Sequence, residues 1–419
     1  MSESDVQVAL ATDHERFVAT DALVWFEEPD ELPVAEQMVG VPPEQRFAAD
    51  RPGSAPDTFP GIYGVRPMQL SVPAGTRGRL VPMAGLTWVG VHPDHRRRGV
   101  LTAMMRHHVE QTHREGLALS GLHASEPVIY GRYGYGLASQ SATLSVSRGT
   151  TFTAPGLDDE AGAMETRLGS ESGRDLVQRV LATELRVAEA LPGSVVGAEG
   201  FYTAVLRETP QQLRDKEPRR TLFAVRDGVD VGLAAFRRTH KWEQHRPNGT
   251  LEVIVLIGEP AARLALLRRL VDFDLMGTVK LPDAALDDPV WQWLGPRAAG
   301  EVVPVDNLWL RVVDLEAALP LRSYDGECDV VVDLVDPLAP WQAGRWRIVV
   351  KGGEGRAERT DAAADASLPV AALGAAYLGG TNLIAMHRAG LLPEVRAGAV
   401  AELWRAFRTD LPPTAAIGF

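Results

Sequence analysis

Three consecutive arginines, Arg96, Arg97 and Arg98, precede Gly99 where a helix is predicted to begin. The first backbone N–H groups of a helix have no partner within it, and the positive end of the helix dipole favours an anion. A glycine lets phosphate oxygens approach the backbone closely, and guanidinium groups add charge-assisted hydrogen bonds. The pattern indicates a pyrophosphate cradle, with a solvated basic turn as the alternative.

The residues on both sides of this turn favour the cradle. The upstream run ends in VGVHP and has the composition of a strand. The downstream run, VLTAMMRHHVEQTHREG, has apolar side chains at helical spacing, among them Leu101, Met104 and Val109. A strand, a basic turn and a helix N-terminus are the elements that could hold the phosphates of an acyl carrier.

The run TWVGVHPDHRRRGVLTAMM resembles the acetyl-CoA motif of the GNAT acetyltransferases. LHASEPVIYGRYGYG, the YLGG at residues 377–380 and an aromatic last residue after DLPP further resemble the Eis (enhanced intracellular survival) family of aminoglycoside N-acetyltransferases. The resemblance covers nearly the whole chain. It implies an α+β (mixed α/β) fold of tandem GNAT folds, the first active and the second degenerate, then a sterol-carrier-protein-like C-terminal domain. It also implies a hexamer.

The middle of the chain repeats the first part in outline. Strand-like runs over Leu222–Val225 and Val229–Arg237 flank an Asp-Gly turn, and a further strand and helix follow from Leu251. Where the first copy has PDHRRRGVL, the second has GEPAARLAL, with Glu259 where an anion would lie. This indicates a diverged copy that kept its packing and lost its ligand. The pattern changes again near Trp309, so we expect domains over residues 1–150, 151–305 and 306–419.

The resemblance implies an acetyl-CoA site residue by residue. Val89, Gly90 and Val91 would bind the pantetheine arm through backbone hydrogen bonds, and Ser125 and Glu126 would line the same site. The residues implied around the pyrophosphate are Arg97, Arg98, Gly99, Val100, Leu101 and Thr102.

The resemblance also implies two catalytic groups, Tyr130 as general acid and the carboxylate of Phe419 as general base. A phenol (pKa ~10) is protonated at neutral pH and can supply a proton to a departing thiolate (pKa ~8.5). A carboxylate needs burial or a water relay to serve as the base. Taken from the residues alone, Tyr130, Tyr133 and Tyr135 could all be packing aromatics, and Phe419 a docked apolar end. The best-known members of the Eis family have an acidic residue just before the terminal Phe, where this chain has Gly418.

For the amine, an acidic and aromatic cluster lies in WFEEPDE near the start of the chain. Trp25 and Phe26 could wall a pocket, Glu27 or Glu28 could attract ammonium groups, and Thr87 could face them. A solvated acidic loop is the alternative.

Composition limits the remaining choices. The chain has 419 residues, 43 basic and 55 acidic, a net charge of −12 that disfavours nucleic acids and membranes. One cysteine, Cys328, excludes an internal disulfide or thiolate zinc cluster, and HKWEQH lacks the HExxH spacing, so we expect no metal. The start lacks the basic end and apolar core of a signal peptide, which predicts a cytoplasmic protein.

These observations favour an acetyl-CoA-dependent N-acetyltransferase. Its substrate would be the primary amines of a polycationic small molecule such as an aminoglycoside, acetylated by direct transfer in a ternary complex. Acetylation of a protein or peptide lysine is an alternative. A non-catalytic protein that binds acetyl-CoA or a lipid is another.

Overall fold

The computed structural model describes residues 5–26, 32–208, 213, 217–295 and 303–419. The described residues form three main sheets with helices packed against them, which confirms the predicted mixed α/β fold class. No helix among them is long and apolar enough to cross a bilayer.

The elements follow one another in three groups along the chain. The first group is β1 (Gln7–Leu10), α1 (His14–Trp25), α2 (Val34–Gln37), β2 (Arg46–Asp50), β3 (Gly61–Ala74), β4 (Arg77–Val91), α3 (Val100–Arg114), β5 (Leu119–Leu122), β6 (Gly136–Leu137) and β7 (Gln140–Ser147). The second is α4 (Asp158–Ala163), β8 (Glu165–Leu168), α5 (Gly173–Val187), β9 (Val195–Gly197), α6 (Glu199–Leu206), β10 (Arg220–Arg226), β11 (Val229–Thr239), β12 (Trp242–Glu243), β13 (Arg246–Pro247), β14 (Gly249–Gly258), α7 (Pro260–Leu270), β15 (Met276–Ala285), α8 (Pro289–Leu294) and β16 (Val303–Asp306). The third is β17 (Trp309–Val312), α9 (Leu315–Ala318), β18 (Cys328–Val335), β19 (Gly344–Lys351), β20 (Glu354–Arg359), β21 (Ala366–Pro369), α10 (Val370–Ala376), α11 (Leu383–Arg388) and α12 (Ala399–Phe407).

The first sheet has the strand order β1-β2-β3-β4-β5-β17-β6, with β9 also paired to β3. β3 and β4 form a long antiparallel hairpin. β4 and β5 are parallel, joined by α3, whose apolar face includes Met104, Met105 and Val109, all buried. The predicted strand, basic turn and helix are therefore present.

The second sheet has the order β16-β7-β15-β14-β11-β10-β8. β14, α7 and the parallel strand β15 repeat the arrangement of β4, α3 and β5. The turn between β10 and β11 has φ of 52° at Asp227 and 78° at Gly228, which confirms the tight Asp-Gly hairpin. The central part of the chain is a second copy of the first fold.

The first two sheets exchange strands near both predicted domain boundaries. β7 leaves the first sheet and pairs with β15 and β16 in the second. β17 returns to the first sheet, between β5 and β6. The third sheet, ordered β20-β19-β18-β21, carries α10 and α12, and its apolar core is continuous with that of the first sheet. The exchanged strands and the shared core tie the three parts together.

Candidate active site

An opening in the first sheet lies between β4 and β5. The two strands pair only at Ala84 with Ser120 and at Gly85 with Gly121. Residues Leu86–Val91 of β4 continue past this point without pairing to β5. The backbone of this part of β4 is therefore left facing a cleft, the kind of site where an extended arm can bind through main-chain hydrogen bonds.

A bulge in β4 lies beside the cleft. Its pairing with β3 shifts register between Ile62 and Gly64, and Trp88 has φ of 52°. Bulges re-aim backbone groups and side chains next to functional sites. Val89 lies in the bulge, and Gly90 and Val91 follow it at the end of β4 nearest the basic turn.

The basic turn connects β4 to α3. Arg97 and Arg98 are exposed, Arg97 has φ of 58°, and Gly99 has φ of 81° as the N-cap of α3. A left-handed backbone favours glycine, which gives Gly99 a conformational reason besides close approach of a ligand. Val100, Leu101 and Thr102 form the first turn of the helix. This loop and helix N-terminus fit a pyrophosphate group.

Tyr130 lies on the turn that follows β5. Ser125 and Glu126 are exposed at its start, and Tyr130 is buried at the end of a short 3-10 turn. Burial, with smaller contributions from Glu126 and Tyr133, raises the pKa of Tyr130 to about 12. The phenol is therefore protonated at neutral pH.

The three tyrosines of this segment differ in the hydrogen bonds of their hydroxyl groups. The hydroxyl of Tyr133 lies 3.2 Å from Thr102 Oγ1, and that of Tyr135 lies 2.7 Å from Ser120 Oγ. The ring of Tyr130 packs edge-on to Tyr135, with 6.1 Å between centroids. Tyr133 and Tyr135 are thus engaged in side-chain hydrogen bonds, whereas Tyr130, among the residues that the structure describes, contributes only its ring to this packing.

A buried ion pair fixes this turn from outside it. Arg311, on β17, donates to the carbonyl of Tyr133 at 2.6 Å and to both oxygens of Asp336 at 2.9 and 2.7 Å. Both charged side chains are fully buried. A Cβ added at Gly134 would lie 1.6 Å from Arg311 Nη1, so the turn fits only with glycine there. Sequence analysis missed this pair; its signal is a charged residue between the apolar Leu310 and Val312.

Phe419 reaches the same opening from the other end of the sequence. Its ring stands edge-on to His123, with 5.0 Å between centroids, and a Cβ added at Gly85 would lie 3.1 Å from Phe419 Cε2. Ile417 is buried and Phe419 is half-buried. The preceding residues are anchored by Asn307, which donates to the carbonyl of Ala415 and accepts from its N–H, both at 2.9 Å.

His123 is a further site residue that sequence analysis missed. Both ring nitrogens are buried and have no hydrogen-bond partner among the described residues. Burial lowers the pKa of His123 to about 4, so the ring is neutral at physiological pH. An imidazole whose two nitrogens are buried and unused, next to Phe419, is available to a ligand. A histidine directly after an apolar strand was the only sequence signal.

The expected amine-binding residues are partly placed. Trp25 ends α1 and is 42% exposed, and Phe26 is 88% exposed. The preceding residue, Val24, packs against Gly90, where an added Cβ would lie 3.0 Å from it, so the end of α1 borders the cleft. Thr87 lies on β4 just before the bulge. Glu27 and Glu28 lie outside the described residues.

No group of three or more potential metal ligands occurs in the described part of the chain. The histidines of α3 have packing roles: His107 lies 2.6 Å from the Tyr63 hydroxyl, and the buried His108 lies 2.9 Å from Ser120 Oγ. Cys328 is buried in the third sheet, and burial raises its thiol pKa to about 12.

Three parts of the chain match known protein domains. Residues 57–138 and 197–312 each match an acetyltransferase (GNAT) domain, and residues 315–416 match a sterol carrier protein domain. An uncharacterized N-acetyltransferase of Streptomyces avermitilis is 36% identical over 87% of each chain.

Proteins named Eis show the same similarity. The N-acetyltransferase Eis of Mycobacterium tuberculosis is 27% identical over 84% of each chain. The crystal structure of Eis1 from Mycobacterium abscessus superposes with a TM-score of 0.81 at 28% identity, covering 99% of this chain and 100% of that one. The two GNAT folds, the sterol-carrier-like domain and these relatives together show that the chain belongs to the Eis-type GNAT N-acetyltransferases.

Proposed function

We propose that this protein transfers the acetyl group of acetyl-CoA directly to a primary amine of a polycationic small molecule such as an aminoglycoside. The observation that carries the proposal is the meeting of Phe419 with His123 at the opening between β4 and β5. An amine entering there would meet the neutral imidazole of His123 and the residue that carries the carboxylate, and Tyr130 lies on the turn that follows β5.

Acetyl-CoA supplies the acetyl group as an activated thioester. Its pantetheine arm would run along Val89, Gly90 and Val91. Its phosphates would bind Arg97, Arg98 and the first turn of α3, which includes Thr102. Ser125 and Glu126 would border the acetyl-CoA site. The exposed guanidinium groups and the N-terminal amides of α3 fit that anion.

Tyr130 would act as the general acid. Its pKa of about 12 keeps the phenol protonated at neutral pH, so it can donate its proton to the sulfur as the C–S bond breaks. The tyrosinate that forms then recovers a proton from solvent. In the described part of the chain, its hydroxyl has no side-chain partner of the kind that engages Tyr133 and Tyr135.

The carboxylate of Phe419 would receive the proton of the amine, directly or through a water. Phe419 is half-buried and Ile417 is buried, so the residues that carry this carboxylate are held against the protein. His123, neutral and unpaired, would accept a hydrogen bond from the ammonium group and hold it in line. Trp25, Phe26 and Thr87 would form the outer part of the amine pocket, together with Glu27 and Glu28.

Direct transfer is favoured over a covalent acyl-enzyme. The only thiol of the chain, Cys328, is buried in the third sheet with its pKa raised to about 12, so it is neither nucleophilic nor near the cleft. The proposal includes a hexameric assembly, as the family resemblance implies, and a cytoplasmic location.

The experiment is a screen of amines with acetyl-CoA, following thiol release and the mass of the product. The panel contains aminoglycosides, simple diamines and lysine-containing peptides, with Tyr130→Phe as the matched inactive control. We expect mass increases of one or more acetyl groups on the aminoglycosides. Acetylation of the peptides alone would replace this proposal with the protein lysine alternative.

A further inference from the structure

A cavity separate from the acetyltransferase cleft lies where the central fold meets the last residues of the sequence. Its volume is about 50 Å³, measured over the positions that the centre of a water-sized sphere can take, which leaves room for a small ligand only. Its walls come from α5, the segment leading into β9, the end of β14 and residues Thr414, Ala416 and Ile417. Most of the lining is apolar.

Four buried polar side chains also line this cavity: Glu184, Arg263, Asp288 and Thr414, exposed by 3%, 8%, 2% and 6%. Three of their polar atoms have no hydrogen-bond partner among the described residues. These atoms are Glu184 Oε1, Arg263 Nε and Thr414 Oγ1. Buried polar atoms are almost always hydrogen-bonded, so three unpaired ones around one cavity indicate that a polar ligand belongs there.

The charges of the lining select the ligand. Arg263 is already paired with Asp288, at 2.7 Å. Among the described residues Glu184 accepts only from the hydroxyl of Tyr202, and burial raises the pKa of Glu184 to about 8. The three ionisable groups sum to −1 when Glu184 is ionised and to zero when it is protonated, so the site complements a cation and not an anion.

The unpaired donor adds a second requirement. Arg263 Nε can only donate, so it needs an acceptor atom on the ligand. Thr414 Oγ1 can donate or accept and is satisfied by either kind of group. A small molecule that carries both an ammonium group and a hydroxyl or ether oxygen matches all three atoms.

The cavity lies beside the second copy of the GNAT fold. β14 and β15 pair in parallel only from Gly249 to Glu252, and the lining residues Leu256, Ile257 and Gly258 come after that pairing ends. An adjoining space lined by Ile254, Leu281 and Ala284 shares Arg263 and Ala416 with the cavity. Glu259 and Pro260 begin α7 without a basic turn, so a CoA pyrophosphate does not fit here.

The position of Thr414 connects this cavity to the acetyltransferase cleft. The N–H of Thr414 donates to the carbonyl of Pro192 at 3.0 Å, and Ile417 closes the cavity wall two residues before Phe419. A ligand bonded to Thr414 Oγ1 would therefore fix the segment that carries Phe419.

We propose that this cavity binds a small amino alcohol, with its ammonium group on Glu184 and its oxygen on Arg263 Nε, and that occupancy fixes Phe419 in the acetyltransferase cleft. That occupancy fixes Phe419 rests on the function proposed above, whereas the binding of the amino alcohol does not.

Three probes of nearly equal shape test whether the cavity binds an amino alcohol. They are 2-(dimethylamino)ethanol, N,N-dimethylpropylamine, which lacks the hydroxyl, and 3-methylbutan-1-ol, which lacks the charge. The tertiary amines form no stable N-acetyl product, so they do not act as ordinary substrates. By calorimetry without acetyl-CoA, we expect 2-(dimethylamino)ethanol to bind several-fold more tightly than the amine and at least tenfold more tightly than the alcohol.

Two variants assign that binding to this cavity. Glu184→Gln keeps an acceptor for Tyr202 and should weaken binding of 2-(dimethylamino)ethanol at least tenfold, while the exposed Glu199→Gln should leave it unchanged. Thr414→Val should weaken binding of 2-(dimethylamino)ethanol several-fold, and it replaces Glu184→Gln as the test if that variant does not fold. Unchanged affinity in a folded Glu184→Gln or Thr414→Val protein, or equal binding of the alcohol, would overturn the proposed site, and no binding of any probe would mean a water-filled cavity only.

Proton linkage gives a second readout. Because free Glu184 is mostly protonated at pH 7 and must ionise on binding the cation, about one proton should be released per ligand. Affinity should then rise by roughly tenfold per pH unit between pH 6 and 7.5 in the wild type and stay flat in Glu184→Gln. A flat profile in the wild type would overturn the assignment to Glu184.

The coupling half is tested by acetyl transfer with and without 2-(dimethylamino)ethanol. Occupancy should change kcat at least twofold in the wild type and leave kcat unchanged in Glu184→Gln. Binding with no effect on kcat would overturn the coupling alone. Absence of any acetyl transfer would overturn the proposed function and leave the calorimetric result standing.

Discussion

The ring of Phe419 stands edge-on to the imidazole of His123, with 5.0 Å between centroids and 86° between planes. His123 follows β5 of the first sheet, whereas Phe419 is the last residue of the sequence. The third part of the chain therefore contributes to the cleft of the first. The anchoring of Ala415 by Asn307 and the burial of Ile417 hold this contact in place.

Replacing Tyr130 with phenylalanine should remove the proton donor and little else. We expect kcat to fall by ~10² or more, while acetyl-CoA affinity and melting temperature stay near wild type. Tyr133→Phe, which removes a hydroxyl bonded to Thr102, is the matched control. Steady-state kinetics and calorimetry on both variants decide the question. Near wild-type turnover of Tyr130→Phe would exclude this residue as the acid.

Gly134→Ala should displace the turn that carries Tyr130. The new Cβ would meet Arg311 Nη1 at 1.6 Å and Val370 Cγ1 at 2.7 Å, at a residue with φ of 85°. We expect a loss of at least about 2 kcal/mol in the free energy of unfolding, together with a lower kcat. Gly131→Ala lies in the same turn with no atom within 4 Å of its Cβ and should be nearly silent. Urea denaturation of both variants measures the difference, and equal stability would argue against a fixed turn.

The double substitution Arg98→Glu with Gly99→Asp should abolish acetyl-CoA binding. It puts two carboxylates where the helix N-terminus offers amides to an anion, and it removes the residue at φ of 81°. The exposed Arg246→Glu on β13 makes a comparable charge change away from the cleft. Calorimetric titration with acetyl-CoA should show binding in the control only. Retained affinity in the double variant would place the cradle elsewhere.

Stability should depend on pH through His123. Its pKa is about 4 in the folded protein and ~6.5 when unfolded, so the unfolded state takes up the proton first as pH falls. Stability is therefore lost between pH 6.5 and 4, by at most about 1.4 kcal/mol per pH unit from this residue. His108, whose pKa is lowered to about 3, acts in the same direction.

His123→Phe should flatten this pH dependence without removing it, because His108 remains. The exposed His240→Phe is the control. Urea denaturation at pH 6.5, 5.5 and 4.5 gives the slopes. Parallel profiles for wild type and His123→Phe would show that this ring is not held neutral by its surroundings.

The strands, helices and turns could be predicted from the sequence because each depends on residues close to one another along the chain. Strand composition, the Asp227-Gly228 turn and the helical spacing after Gly99 each reflect residues a few positions apart. The strand, basic turn and helix were therefore predicted together with the diverged second copy.

The long-range parts did not follow, for the same physical reason. Arg311 contacts a turn 178 residues away, and no periodicity connects the two. The exchange of β7 and β17 between sheets is set by pairing partners, which strand composition does not encode. His123 could be recognised only once its ring nitrogens were seen to be buried and unpaired beside Phe419.

The central claim is that the carboxylate of Phe419 takes part in acetyl transfer, and a short Gly-Ser tail after this residue tests it most directly. The tail keeps the ring against His123, converts the carboxylate to an amide and moves the terminal charge away by ~3.3 to 3.6 Å per added residue. The same tail placed before Met1 is the control. Acetyl-CoA affinity, melting temperature and kcat are measured on one preparation of each protein. We expect the C-terminal tail to leave acetyl-CoA affinity and melting temperature unchanged and to remove most of kcat. Full kcat with an unchanged melting temperature would contradict a role for the Phe419 carboxylate in acetyl transfer.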